Sequence, residues 1–179
     1  MVTSRLFHLS AADTSSALDK NYSSYVYAGL PLLLSAIQSF IIEYEGMLNL
    51  HPLPEMLSAP NGLALLLESK YGISGDLLDD FRILSEIRNE IIHPIPLPAG
   101  TPDNWPDYLR RVKQKGLLSS TGNPLADYLM FSQMASHALF KWAVETTEKV
   151  YSVIVNSDTA KTPMFHCYVE ANFQTLFWT

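Results

Sequence analysis

Hydrophobic residues recur at steps of three and four throughout residues 23–49, the first long apolar segment of the chain. Because such steps return to the same side of an α-helix, this segment is predicted to form one long buried helix. Pro31 lies near its beginning, where a proline can either kink a helix or mark its start, and the pattern leaves both open. The apolar positions are Tyr25, Val26, Leu30, Leu32, Leu33, Leu34, Ile37, Phe40, Ile41, Tyr44 and Leu48.

A second helix is predicted over residues 61–70, which are rich in leucine. Residues 51–62 contain three prolines and end in two residues that favour turns, Asn61 and Gly62. This segment is therefore predicted to separate the first helix from the second. Gly72 follows the last apolar turn. A glycine in this place suits the left-handed conformation that often ends a helix.

A third helix is predicted to begin at Ser74 or Gly75. It ends near Ile92, because Pro94 disfavours helical geometry at the residue before it. The apolar face of this helix is expected to contain Leu77, Leu84, Ile87 and Ile91.

The second half of the chain predicts one short helix and one long helix. A proline-rich loop, residues 95–106, leads to the short helix at 107–115. The long helix is predicted over 124–156, since Asn123 can cap its first turn and Pro124 suits the first helical position. Its core face is expected to contain Leu125, Leu129, Met130, Met134, Leu139, Trp142, Ala143, Val150, Ile154 and Val155.

The two ends of the chain show no sustained helical period. Residues 1–22 are expected to form an arm with at most one helical turn. The tail, residues 160–179, alternates apolar and polar positions over part of its length, so a strand, an extended arm or a helix would fit. The whole pattern predicts an all-α fold: an up-down bundle of four to five helices with an extended or irregular C-terminal tail, in a single domain with its core at about 23–156.

The composition fits a folded domain that needs no disulfides. Hydrophobic residues make up 47% of the chain and aromatic residues 11%, which excludes an intrinsically disordered protein. The 12 Lys and Arg against 18 Asp and Glu exclude a basic coat for binding polyanions, although a local basic site remains allowed. The lone Cys167 and the lack of a signal-peptide or membrane-spanning pattern lead us to expect a cytoplasmic protein without membrane contact.

Polar side chains form one line along the third predicted helix. The line consists of Arg82, Glu86, Asn89 and His93. At about 100° per residue, their steps of four, three and four keep them on one side. Arg88 and His93 are about 140° apart in an ideal helix, but fraying before the proline could bring them together. The alternative is an ordinary exposed face on which Arg82 and Glu86 form an ion pair worth about 0.3–0.5 kcal/mol.

Residues 88–93 read Arg-Asn-Glu-Ile-Ile-His. This segment resembles the Arg-x4-His motif, in its common Arg-Asn-x-x-x-His form, of the HEPN superfamily (higher eukaryotes and prokaryotes nucleotide-binding). The position of the motif is also similar to that family, since it lies near the end of an amphipathic helix in an all-helical chain and a long helix follows.

The resemblance implies a homodimer whose two motifs face a shared cleft. In many HEPN proteins the activity is that of a metal-independent endoribonuclease from a toxin–antitoxin, phage-defence or RNA-processing system. Carried onto this chain, it implies Arg88 and His93 as the catalytic pair and Asn89 as a supporting residue. RNA supplies its own nucleophile, the ribose 2′-hydroxyl, so His93 could move the proton while Arg88 holds the phosphate. An antitoxin or regulatory protein would be a further partner.

Basic side chains would supply the remaining substrate contacts. The short helix at 107–115 carries the most concentrated positive charge in the chain. A solvated basic face is the alternative interpretation, because so few charges supply little affinity at physiological salt. The residues expected to bind substrate are Arg82, Arg110, Arg111, Lys113 and Lys115.

No pattern in the sequence points to a metal or a cofactor, and none is expected. The remaining histidines show no ligand spacing, and the glycines form no phosphate-binding loop. These histidines are His8, His51, His137 and His166.

Two functions remain open after the sequence is considered. The first is an endoribonuclease that cleaves single-stranded RNA. The second is a non-catalytic helical dimer that binds a nucleotide or a protein partner, since many HEPN proteins have lost activity. Glu86 and Glu90 favour the second function, because their negative charges flank Arg88 and repel phosphate.

Overall fold

The structure, a computed structural model, describes residues 2–16, 23–47, 62–93, 105–119, 133–157 and 177. Within these residues the chain is all-helical and has no β-strand, which confirms the predicted all-α class. The tail at 160–179 lies outside the described residues except for Phe177, which is buried. None of the described helices combines the length and the apolar character needed to cross a bilayer.

Six helices are present in the described ranges, one more than the upper number predicted. The boundaries of the third predicted helix are confirmed, and the short helix ends one residue before its predicted end. The helices are α1 (Val2–Ser16), α2 (Val26–Met47), α3 (Gly62–Tyr71), α4 (Gly75–Ile92), α5 (Asp107–Gln114) and α6 (His137–Asn156).

The chain divides into two compact units. The first unit comprises Met1–Leu32 and Glu86–Val144, and the second comprises Leu33–Ser85 and Glu145–Thr179. Helices α2, α4 and α6 each contribute to both units. The HEPN-like motif and α5 belong to the first unit.

Helix α1 corrects the prediction of an N-terminal arm with at most one helical turn. The ring of Phe7 lies 5.1 Å from that of His137 and 5.5 Å from that of Phe140, measured between centroids. The hydroxyl of Ser10 lies 2.8 Å from Nδ1 of His137. The prediction was wrong because α1 is held by side chains of α6, and a weak local pattern contains no information about such distant partners.

Ser23 connects three segments of the first unit just before α2. Its hydroxyl donates to Oδ2 of Asp13 at 3.0 Å and accepts from the backbone N–H of Tyr25 at 3.3 Å. Its own N–H donates to the carbonyl of Ala135 at 2.7 Å. Ser23 is fully buried, so these bonds replace the water that its polar atoms would otherwise bind.

The N-terminal part of α2 packs closely against α6. Pro31 lies inside the helix and does not mark its start. At Gly29 an added Cβ would overlap Cζ of Phe140 and would lie 3.0 Å from its Cε2. Glycine therefore allows α2 to approach a fully buried aromatic ring.

Helix α6 begins at His137, which corrects the predicted start at Pro124. Ser136 ends the non-helical segment, and its hydroxyl accepts the N–H of Leu139 at 3.2 Å as an N-cap. The carbonyl of Ala135 is bonded to the N–H of Ser23. The helical pattern is interrupted where the carbonyl of Ala135 is bonded to another segment and Ser136 caps a new helix. Residues 124–132 lie outside the described residues.

The buried positions agree with most of the predicted core. On α6 the predicted residues Met134, Leu139, Ala143, Val150, Ile154 and Val155 are buried, either in the helix or just before it. Trp142 is half-buried, and the predicted core residues Leu125, Leu129 and Met130 lie outside the described residues. On α4 the buried apolar residues are Leu78, Phe81, Ile83, Leu84 and Ile87, whereas Leu77 and Ile91 are only half-buried.

Candidate functional site

Helix α4 carries the HEPN-like motif through its last turn. Gly75 starts the helix with a φ of 61°, a left-handed conformation that glycine tolerates. At the other end, the backbone N–H of His93 donates to the carbonyl of Asn89 at 2.8 Å. The helical path therefore continues to His93, although a proline follows it.

The guanidinium of Arg88 is held by the residue that follows it. Its Nη1 donates to Oδ1 of Asn89 at 3.0 Å. In the part of the chain that the structure describes, no carboxylate forms an ion pair with Arg88. Since an amide oxygen carries no net charge, this bond does not neutralise the half-buried guanidinium, and its other N–H groups form no hydrogen bond with the described residues. The contact gives Asn89 a way to orient Arg88.

The imidazole of His93 is exposed and forms no hydrogen bond with the described residues. Helix α4 ends at Ile92, but the bond from His93 to Asn89 keeps the backbone close to the helical path, and an ideal helix places Arg88 and His93 about 140° apart. The two side chains form no hydrogen bond with each other in the described residues. The backbone bond from His93 to Asn89 shows that the chain is not frayed before His93.

The carboxylate of Glu90 is buried against α5, with the residue only 8% exposed. The hydroxyl of Tyr108 donates to its Oε2 at 3.5 Å. Burial raises the pKa of Tyr108 well above its ordinary value, and the negative charges of Glu90 and Glu86 raise it further. Tyr108 is therefore a neutral donor that faces the buried carboxylate.

Glu86 also interacts with α5. Partial burial raises the pKa of its carboxyl, the charge of Asp107 raises it further, and the charge of Arg111 acts in the opposite direction. Both acidic residues that flank Arg88 in the sequence thus have neighbours on α5. Neither forms an ion pair with Arg88 in the described residues.

Arg82 lies in the second unit and is bonded to carboxylates there. Its Nη2 lies 3.0 Å from Oε2 of Glu68, and its Nη1 lies 3.7 Å from Oδ1 of Asp79. These pairs replace the expected ion pair with Glu86. We therefore leave Arg82 out of the candidate site, although the sequence analysis placed it among the substrate-binding residues.

The two arginines of α5 have acidic neighbours. Nη2 of Arg110 lies 3.3 Å from Oδ1 of Asp107, one helical turn earlier. Arg111 is close enough to Glu86 to oppose the rise in the pKa of that carboxyl. The negative charges of Asp107 and Glu86 therefore cancel part of the positive charge of the two arginines.

The two lysines at the end of α5 lie over tryptophan rings. Nζ of Lys113 is 5.1 Å from the ring centroid of Trp105, and Nζ of Lys115 is 5.9 Å from that of Trp142. Both distances are within the range of a cation–π contact. Both lysines are exposed.

Sequence reasoning missed Tyr108 and Trp105 as parts of this site. One signal was present, because Tyr108, Leu109 and Val112 are apolar at helical spacing and form the buried face of α5. The contact between Tyr108 and Glu90 could not be predicted from the sequence, because it joins residues 18 positions apart across a proline-rich loop.

Among the described residues, no three His, Cys, Asp or Glu side chains come together as a metal ion would require. Comparison of the chain with protein-family models, with curated proteins and with solved structures found no match. The motif and the geometry around it are therefore the basis for a functional proposal.

Proposed function

We propose that this chain is a metal-independent endoribonuclease that cleaves single-stranded RNA with Arg88 and His93. One observation carries the proposal: Arg88 is bonded to a neutral amide, whereas the carboxylates on either side of it interact with α5. A cation without an ion-pair partner in the described residues and an exposed imidazole thus lie at the same end of α4. Neither Glu86 nor Glu90 forms an ion pair with Arg88 in the described residues, so neither neutralises the guanidinium directly.

The proposed reaction uses the 2′-hydroxyl of RNA as its nucleophile. His93 accepts the hydroxyl proton as the oxygen attacks phosphorus, and Arg88 binds the non-bridging oxygens, where negative charge increases. The bond to the 5′-oxygen breaks, and that oxygen takes a proton from an imidazolium. The products are a 2′,3′-cyclic phosphate and a 5′-hydroxyl, and no metal ion takes part.

A homodimer is part of the proposal, because Arg88 and His93 lie about 140° apart around an ideal helix and form no hydrogen bond with each other in the described residues. A twofold axis would place two motifs in one cleft, and the second copy would supply the imidazolium that protonates the leaving oxygen. Light scattering should give a mass about twice the 20.1 kDa of one chain. A 20.1 kDa particle at the concentration of the cleavage assay would contradict the shared cleft.

The activity test is cleavage of single-stranded RNA in excess EDTA. The wild type should cut RNA to cyclic-phosphate ends and leave single-stranded DNA intact, because DNA lacks the 2′-hydroxyl. Arg88→Lys should also cleave poorly, since an ammonium cannot reproduce the planar, two-point grip of guanidinium on phosphate. A requirement for divalent metal, or cleavage of DNA, would refute the mechanism.

The separation of Arg88 and His93 favours a second candidate, a non-catalytic dimer that binds a nucleotide or a protein partner. In that case the wild type would bind RNA or a nucleotide without cutting it. Arg88→Ala would weaken binding, and His93→Ala would have a smaller effect. The same samples used for the cleavage test distinguish these outcomes.

A role as the toxin of a toxin–antitoxin or phage-defence pair, in the cytoplasm, completes the proposal. Its support is the resemblance of the motif to that of such proteins. Expression of the wild type should then arrest growth, while His93→Ala should not. Growth arrest by both forms would separate toxicity from RNA cleavage and would contradict this role.

A further inference from the structure

We infer that His137 is an acid-sensitive latch that holds the N-terminal part of α1 against α6. The inference concerns the conformation of the first unit and does not depend on RNA cleavage. It starts from two side chains that lie 127 positions apart in the sequence: the hydroxyl oxygen of Ser10 is 2.8 Å from Nδ1 of His137. The ring of Phe7 lies on the same imidazole, with 5.1 Å between the two centroids.

The hydroxyl of Ser10 determines which nitrogen of the neutral imidazole carries the hydrogen. Ser10 is fully buried, and Nδ1 of His137 is the only hydrogen-bond partner of its hydroxyl in the described residues. If Nδ1 carried the hydrogen and donated it, the O–H of Ser10 would be buried without an acceptor, which destabilises a protein. The neutral ring therefore accepts from Ser10 at Nδ1 and carries its hydrogen on Nε2.

Protonation of His137 removes the acceptor that Ser10 requires. An imidazolium carries a hydrogen on both ring nitrogens, so its Nδ1 can no longer accept a hydrogen bond. The buried hydroxyl then loses its partner, and a positive charge enters a half-buried position. Acid thus weakens the contact between α1 and α6 through both side chains.

The surroundings of His137 also oppose its protonation. Burial lowers the pKa of the imidazole, and the charge of Lys141, one helical turn later, lowers it further. Residues 26–42 of α2, which packs against α6, contain no charged side chain. The titratable side chains of α1 are Arg5, His8 and Asp13. Asp13 accepts a hydrogen bond from Ser23, and no carboxylate of the described residues forms an ion pair with His137.

The buried face of α1 allows this helix to separate without unfolding of the core. Among residues 3–13 the buried ones are Ser4, Phe7 and Ser10. Only Phe7 is large and apolar, so burial of apolar surface holds α1 less strongly than the core helices. The bond between Asp13 and Ser23 keeps the C-terminal part of α1 in place. Release of the N-terminal part would uncover the ring of Phe140, which lies 5.5 Å from that of Phe7.

Hydrogen exchange of backbone amides measures this release in the folded, full-length chain. Exchange is followed by mass spectrometry at about pH 7.5 and about pH 5.5, with correction for the effect of pH on exchange in an unfolded chain. The protection of residues 2–12 should fall by up to about tenfold at the lower pH, which is about one unit below the ordinary histidine pKa of about 6.5. Helix α3 is the internal reference and should keep its protection.

Three variants distinguish the latch from a general effect of acid. His137→Gln provides an amide oxygen that can accept from Ser10 at either pH, so α1 should be equally protected at both. Ser10→Ala has no hydroxyl that can lose its acceptor, so its protection should fall less than that of the wild type. His8→Gln is the control, because it removes an exposed histidine of α1 and should show the wild-type fall.

The nitrogen chemical shifts of the histidine rings provide a measurement that needs no variant. At about pH 7.5 the ring of His137, identified by its proximity to Phe7, should carry its hydrogen on Nε2. A hydrogen on Nδ1 would overturn the inference. An unchanged protection of α1 in the wild type, an equal fall in His137→Gln, or an equal fall in α3 would also overturn it.

Discussion

The hydroxyl of Tyr108 donates a hydrogen bond to the buried carboxylate of Glu90, across 3.5 Å. Glu90 lies two residues after Arg88, inside the HEPN-like motif, yet its carboxylate faces α5 and not the guanidinium. The same short motif thus contains a proposed catalytic cation and an acidic residue that holds the neighbouring helix. This contact has a measurable effect on stability.

Tyr108→Phe should lower the free energy of unfolding by about 1 kcal/mol, because it removes a donor from a buried carboxylate. Urea unfolding at neutral pH measures the change. Tyr25→Phe is the matched control, since the Tyr25 side chain is half-buried and its hydroxyl has no hydrogen-bond partner in the described residues. Equal losses in the two variants would show that the contact with Glu90 contributes nothing specific.

His137 should make the fold less stable in weak acid. Burial lowers the pKa of its imidazole, and the charge of Lys141 lowers it further. The unfolded chain therefore takes up a proton at a higher pH than the folded chain. The stability that follows from neutral His137 is complete above the ordinary histidine pKa of about 6.5 and decreases as the pH falls below it.

Urea unfolding at about pH 7.5 and about pH 5.5, on either side of that value, measures the effect of His137. The loss of stability on acidification should be smaller in His137→Gln than in the wild type. His8→Gln is the control, because His8 is exposed, and it should keep the wild-type pH dependence. An identical loss of stability in His137→Gln and the wild type would show that His137 does not cause the acid sensitivity.

Gly29→Ala should destabilise the protein, although alanine is the better helix former. In an open helix this change would stabilise by about 1 kcal/mol. Here the new methyl group would overlap the ring of Phe140, which is fully buried and packed against Phe7, so a cost of about 1–3 kcal/mol is expected. Phe140→Leu in the same chain should recover part of this cost. If Gly29→Ala alone stabilised the protein, the backbone of Gly29 could not lie as close to the ring of Phe140 as described.

The elements that could be predicted from the sequence are those with local boundary signals. Helix α4 begins and ends as expected because a glycine with a positive φ stands at its start and a proline follows it, and both act on the adjacent backbone. Helix α5 could be predicted because Pro106 precedes it and Gly116 follows soon after its end. The start of α6 could not be predicted, because the interruption at Ala135 depends on a bond to Ser23, more than one hundred positions away.

The candidate site shows the same division between local and distant contacts. The bond between Arg88 and Asn89 joins neighbouring residues, and the motif already suggested a supporting role for Asn89. The contact of the buried Glu90 with Tyr108 joins two helices, so the sequence alone did not predict it. Distant packing thus changes how the charges around the motif are interpreted.

The most direct test of the central claim, that Arg88 and His93 act together on one phosphodiester, is a double-mutant cycle of cleavage rates. RNA cleavage in EDTA is measured for the wild type, Arg88→Ala, His93→Ala and the double variant, together with their melting temperatures. Each single variant should fall to the rate of the double variant, because groups that act as a unit are not additive. Melting temperatures should hardly change, since His93 is exposed and Arg88 is only half-buried. A double variant that still cleaves RNA, or single variants that both unfold, would contradict the claim.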